Sequence, residues 1–119
     1  MKVLVVDDSS VMRRIVINAL ASGGISEVVQ AGDGEEAVAQ AMAEPYDLVL
    51  MDWNMPNMRG IDAVRAIRAQ GLTVPVIMVT TEAEKSRVLE ALKAGANNYV
   101  VKPFEPATLL EKIRATVGG

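Results

Sequence analysis

A chain of 119 residues that is 50% hydrophobic and 23% charged is one domain's worth of core-forming composition, not a disordered segment. Its net charge of -3, with no Lys/Arg run, lacks the phosphate-neutralising stripe that nucleic-acid binding needs, so no nucleic-acid partner is expected. The absence of Cys and His excludes disulfides, thiol nucleophiles, Cys/His zinc sites and Ser-His-Asp triads, and leaves carboxylates, hydroxyls, lysines and hard cations for any chemistry.

Short apolar runs alternate with amphipathic stretches along the chain. Lys2–Val6 is a compact β-branched run and predicts a first strand. Ser10–Leu20 carries Val11, Ile15, Val16 and Leu20 at helical spacing, with Arg13, Arg14 and Asn18 on the other side. Glu27–Ala31 predicts a second strand. Glu35–Ala43 reads as an Ala-rich helix after Gly34, stopped before Pro45. Asp47–Met51 predicts a third strand, and Gly60–Ala69 a helix that ends near Gly71. Pro75–Val79 predicts a fourth strand. Ala83–Ala94 predicts a helix with Gly95 in the C′ position. Asn98–Val101 predicts a short fifth strand, and Pro106–Thr116 a last helix with Pro106 in its first turn. Five strands alternating with five helices predict a single α/β domain over residues 1–119, a doubly wound parallel sheet buried on both faces. No nucleotide-phosphate loop of the G-x-x-x-x-G-K-[ST] or G-x-G-x-x-G type is present. No apolar run is long enough to cross a bilayer and no signal peptide is visible, so a cytoplasmic protein without a membrane partner is expected.

In such sheets ligands bind at the carboxyl ends of the strands, near the switch in strand order. The residues there are not bland. Strand one ends in Asp7-Asp8, strand three in Asp52, strand four in Thr80-Thr81 and strand five in Lys102-Pro103; only strand two ends quietly, in Ala31-Gly32. An order of 2-1-3-4-5 places the quiet strand at an edge and gathers the others. Taken singly, Asp7 and Asp8 read as helix N-caps, Asp52 as a turn former before Asn54 and Pro56, Thr80 as structural and Lys102 as a solvated charge. Taken together they read as a site. Two carboxylates about 4 Å apart repel by roughly 4 kcal/mol at an effective dielectric near 20, so such a crowd needs a cation. An oxygen-only ligand set selects a hard ion, Mg²⁺ or a substituting Mn²⁺. A carboxylate nucleophile, a metal, a lysine and a hydroxyl are the parts of a phosphoryl-transfer site.

Leu4-Val5-Val6-Asp7-Asp8-Ser9, Met51-Asp52-Trp53-Asn54-Met55-Pro56, Met78-Val79-Thr80-Thr81-Glu82-Ala83 and Tyr99-Val100-Val101-Lys102-Pro103-Phe104 resemble the response-regulator receivers of two-component signalling. They resemble most the single-domain chemotaxis regulators of the CheY type, whose known flavodoxin-like strand order is 2-1-3-4-5. The resemblance spans essentially the whole chain. It implies a signalling receiver that catalyses only its own phosphorylation and dephosphorylation. Asp52 would be the phosphoacceptor. Asp7, Asp8, Asp52 and the backbone carbonyl of Asn54 would hold Mg²⁺. Lys102, Thr80 and Thr81 would contact the phosphoryl group, and Tyr99 would be the switch aromatic. Asn54 and Glu82 would tune hydrolysis. The Lys102–Pro103 bond would be cis.

The implied donor is a sensor histidine kinase, since this chain has no His of its own. The implied output is a protein target that reads Lys85, Leu89, Tyr99, Val101 and Lys112 on the face of helix four, strand five and helix five. A flagellar switch is one candidate. One departure bears on it: Glu84-Lys85 stands where the chemotaxis regulators carry two lysines. A receiver excised from a larger regulator and a phosphorelay shuttle remain alternatives. A Mg²⁺-dependent aspartyl phosphatase of the haloacid-dehalogenase type is disfavoured, because Asn54 stands where that family places its second Asp. An FMN carrier is disfavoured by Asp7-Asp8 in place of a phosphate loop.

Overall fold

The computed structural model describes residues 1–118. Five strands, β1 (Lys2–Val6), β2 (Glu27–Ala31), β3 (Leu48–Asp52), β4 (Val76–Thr80) and β5 (Asn98–Val101), form one parallel sheet in the order β2-β1-β3-β4-β5. Five helices alternate with them: α1 (Ser10–Ser22), α2 (Gly34–Ala43), α3 (Gly60–Ala69), α4 (Val88–Ala94) and α5 (Pro106–Val117). This is the fold and the strand order that the sequence predicts.

Strand side chains alternate between two cores because successive residues point to opposite faces. Leu4, Val6, Val49, Met51, Val76 and Met78 join the core under α2, α3 and α4. Val3, Val5, Leu48, Leu50, Ile77, Val79 and Val100 join Val16, Leu20, Leu109 and Ile113 of α1 and α5. All residues of β3 and β4 are buried, which is why those runs are apolar without alternation.

Several boundaries differ from the sequence reading. β3 and β4 begin and end one residue later than expected. Pro75 has no N–H to give a ladder and serves only as acceptor for Val49 N at 2.9 Å. The consequence is functional: Asp52 and Thr80 are the last paired residues of their strands, opposite Val79 and Val101, and not loop residues.

The larger difference is at the start of α4. A 3-10 turn over Lys85–Arg87 precedes an α-helix that begins only at Val88, where the sequence predicts helix from Ala83. The Thr81 carbonyl accepts from Glu84 N and Lys85 N, both at 3.1 Å, and Glu84 O accepts from Arg87 N at 2.9 Å, so the chain winds tightly here. The Glu84 side chain also folds back onto Thr81 N at 2.8 Å.

At the opposite end of the sheet, Arg68 ties α3 to two other segments. It donates to Gly95 O at 2.8 and 3.1 Å, to Leu72 O at 3.0 Å and to Asn97 Oδ1 at 3.0 Å. Asn97 Oδ1 in turn accepts from Val76 N at the entry to β4. Arg68→Ala therefore leaves carbonyl groups without donors, and is expected to cost about 2 kcal/mol, read as a lower urea midpoint with an unchanged slope.

Candidate functional site

The carboxyl ends of β1, β3, β4 and β5 converge on a cleft lined by Asp7, Asp8, Ser9, Met12, Asp52, Asn54, Thr81, Glu84 and Lys102. β1 delivers Asp7 and Asp8. Neither caps α1, because Ser9 does: its hydroxyl accepts from Met12 N at 3.2 Å. The two carboxylates are thereby free of the capping role that the sequence leaves open for them. Asp7 Oδ1 accepts from Ser9 N at 2.9 Å, which fixes its direction. The Arg13 guanidinium anchors the same corner by donating to Asp7 O at 2.6 Å.

Asp52, at the end of β3, is 4% exposed, and Asp7 is equally buried. Asp8 is exposed at the mouth. Carboxylate oxygens of Asp7, Asp8 and Asp52 lie within 4.8 Å of one another. Lys102, from the end of β5, reaches Asp52 Oδ1 at 2.8 Å and Asp7 Oδ2 at 3.8 Å. Four groups from three strands, far apart in sequence, thus meet as the strand-end pattern predicts.

Their electrostatics are those of a site short of positive charge. Burial pushes the Asp52 carboxyl up, the Asp7 charge adds to it, and the hydrogen bond from Lys102 only partly offsets them, leaving its pKa at about 6. Burial also raises Asp7, against the pull of the Ser9 amide and Lys102. Burial works against the Lys102 ammonium, but the Asp52 hydrogen bond and the charges of Asp52, Asp7 and Glu84 outweigh it and raise its pKa. Three hard oxygen donors at this spacing, with no nitrogen or sulfur ligand among them, fit Mg²⁺.

The remaining residues fall into three groups. Thr81 lines the cleft, whereas the Thr80 side chain is fully buried and donates from Oγ1 to Val100 O at 3.5 Å, turned toward β5. Asn54 lines the cleft and its amide donates to Glu84 Oε2. Glu82 is exposed and does not line the cleft; Glu84 does. On the neighbouring face, Lys85 and Leu89 are exposed, Leu89 at 63%, while Tyr99 and Val101 are half-buried. Lys112 Nζ stands 4.6 Å from the Tyr99 ring centroid. The Lys102–Pro103 bond is cis.

Sequence reasoning missed two participants. Glu84 registers in the sequence only as an unexpected charge, and its reach into the cleft depends on the tight turn before α4. Arg87 stacks over the buried Trp53 ring at 5.2 Å, joining that turn to the residue after Asp52. Helical periodicity carries no signal for either contact.

Comparison with known proteins agrees with this geometry. The family model for the response regulator receiver domain matches residues 3–114. The chemotaxis protein CheY1 of Helicobacter pylori is 50% identical, over 99% of this chain and 98% of its own length. The chemotaxis protein CheY of Pseudomonas aeruginosa is 47% identical, over 95% of this chain and 93% of its own. The solved structure of the chemotaxis protein CheY4 of Vibrio cholerae superposes with a TM-score of 0.88 at 40% identity, covering 97% of each chain. The receiver domain of a sensor histidine kinase from Pseudomonas aeruginosa, solved with a magnesium ion coordinated in its active-site cleft, has a TM-score of 0.88 at 35% identity over 99% of this chain and 98% of its own. With the fold, the strand-end carboxylates and nearly the full length in agreement, this chain belongs to the response regulator receiver domain family and is of its CheY type.

Proposed function

We propose that residues 1–119 form one receiver domain, a phosphorylation-dependent switch of a two-component pathway that accepts a phosphoryl group on Asp52 from a partner histidine kinase. The observation that carries this reading is the Asp52 carboxylate, buried at a strand end beside Asp7 and Asp8 and held at 2.8 Å by Lys102. In the transfer, an Asp52 carboxylate oxygen forms a bond to phosphorus as the phosphorus–nitrogen bond to the donor imidazole breaks, and the imidazole leaves with a proton from solvent. Mg²⁺, held by Asp7, Asp8, Asp52 and the Asn54 carbonyl, would neutralise the charge on the transferring oxygens; Mn²⁺ would substitute.

The protein's own groups do the rest. Lys102 transfers its ion pair from the carboxylate to a phosphoryl oxygen. The Thr81 N–H and the Thr80 hydroxyl donate to the others. For Thr80 this means leaving Val100 O, and the space released beside β5 admits the Tyr99 ring. The surface formed by exposed Lys85 and Leu89 and half-buried Val101 and Lys112 around Tyr99 then changes shape for a downstream protein. Asn54, which lines the cleft, and Glu82, exposed and outside its lining, are assigned to tuning hydrolysis. The names of the relatives favour a chemotaxis pathway, and a histidine-kinase donor of this kind would place the protein in the cytoplasm. No helix of the described residues is long and apolar enough to cross a membrane. A flagellar switch is one candidate target, and it would have to accommodate the acidic Glu84 beside Lys85.

The test is incubation with acetyl phosphate and Mg²⁺, followed by intact mass. One phosphoryl adduct, stable in acid and labile in base, is expected on the wild type and none on Asp52→Asn. No adduct on the wild type, together with no response of Trp53 fluorescence to beryllium fluoride, would refute the assignment.

A further inference from the structure

We infer that the Glu84 carboxylate holds the place of the phosphoryl group while Asp52 is unmodified, and competes with it for the same donors. The inference rests on the assignment of Asp52 as phosphoacceptor. Glu84 Oε1 accepts from Thr81 N at 2.8 Å, and Glu84 Oε2 accepts from the Asn54 side-chain amide. Both donors line the cleft that contains Asp52 and Lys102. The carboxylate therefore spans the cleft, from the turn before α4 to the segment after β3.

That position is costly for an anion. Asp7, Asp8, Asp52 and Glu84 share one cleft, and among the described residues Lys102 is the only cation lining it. Glu84 also adds to the field that raises the Lys102 pKa, so its charge is felt at the lysine that pairs with Asp52. What keeps it there is the pair of donors. A phosphoryl group brings about -1.5 to -2 charge and three acceptor oxygens into the same space. It needs donors, and the Thr81 N–H cannot serve both acceptors. Repulsion and competition then act in one direction: Glu84 is expelled, its bond to Thr81 N is lost, and the 3-10 turn over Lys85–Arg87 keeps its backbone bonds but loses the side-chain tie at its entry. Glu84 is thus a positioning residue that opposes phosphoryl binding and ties release of the α4 entry to it.

A residue that merely braced the loop would act with the opposite sign, since its removal would disorder the Thr81 donor and weaken phosphoryl binding. The experiment uses the full chain with Mg²⁺ saturating for each variant. Beryllium fluoride is titrated against wild type, Glu84→Gln and Glu84→Ala, with Trp53 fluorescence as readout. Glu35→Gln, an exposed residue of α2, controls for net charge. Glu84→Ala is expected to lower the midpoint about tenfold, the scale of one hydrogen bond to a charged group, and Glu84→Gln to lower it less, since it keeps one acceptor. In the metal-free, unliganded protein, hydrogen exchange at the Thr81 amide is expected to quicken in Glu84→Ala. A midpoint unchanged or raised in both variants, with normal binding by the wild type, would overturn the inference alone. A wild type that shows neither a beryllium fluoride response nor an acetyl phosphate adduct would overturn the Asp52 assignment, and this inference with it.

Discussion

Gly60→Ala is expected to destabilise the protein by about 3 kcal/mol or more, and to lower its melting temperature by roughly 10 °C. A Cβ built at Gly60 would stand 2.0 Å from the backbone oxygen of Asp52, 3.1 Å from its carbonyl carbon and 3.1 Å from Met78 Cε. Gly60 N also donates to Trp53 O at 2.9 Å, so the first turn of α3 is held against the end of β3. The first of these clashes is with backbone, and no rotamer change relieves it. Either α3 withdraws, exposing Ile61, Val64 and Ile67 of the core, or the Asp52 carbonyl shifts and takes the Asp52 side chain with it. Both outcomes reach the site, so phosphoryl uptake should fall with stability. Gly71→Ala is the contrast. Gly71 has a φ of +80 with open space around it, so alanine there costs only the left-handed conformation, about 1 kcal/mol, and leaves uptake intact. Urea unfolding of the two variants side by side checks this. Equal midpoints for Gly60→Ala and wild type would mean that the close approach at Asp52 is not a constraint.

These positions also mark how far the sequence could be read. Strands were legible because a parallel sheet buried on both faces demands unbroken apolar runs, and Val3–Val6, Leu48–Met51 and Val76–Val79 supply them. Helix ends were legible where a single residue sets them: Gly95 takes a φ of 117 after α4, and Pro106 starts α5. The site was legible for a related reason, since strand order alone brings Asp7, Asp52 and Lys102 together once the strands are known. What stayed hidden depends on side-chain direction across segments distant in sequence. The Glu84 reach to Asn54 spans 30 positions, and the turn of Thr80 Oγ1 toward Val100 spans 20. Gly60 showed only as a helix start, because a close approach of one backbone to another leaves no periodic trace.

In metal-free protein, Asp52→Asn is expected to be more stable than wild type above pH 7 and indistinguishable from it near pH 4. The folded-state pKa of Asp52 is about 6, raised from 3.8 mainly by burial and then by the Asp7 charge. A raised carboxyl pKa means that the folded state holds its proton longer than the unfolded chain does. Stability associated with that proton is fully present below pH 3.8 and is lost as pH rises through about 6. Two pKa units correspond to roughly 3 kcal/mol, which solvent at the open cleft reduces to about 1–2 kcal/mol. Asparagine carries no such charge at any pH, and Lys102 keeps Asp7 as a partner at 3.8 Å. The gap between variant and wild type should therefore open between pH 4 and pH 7 in melts with EDTA. Mg²⁺ should then close it from the other side, because a cation bound by the folded carboxylates stabilises wild type by about 2.7 kcal/mol at a hundred times its dissociation constant, and stabilises the variant less. A wild type more stable than Asp52→Asn at neutral pH without metal would show that Lys102 alone satisfies the Asp52 carboxylate, and that the carboxylate cluster holds no net repulsion for a cation to relieve.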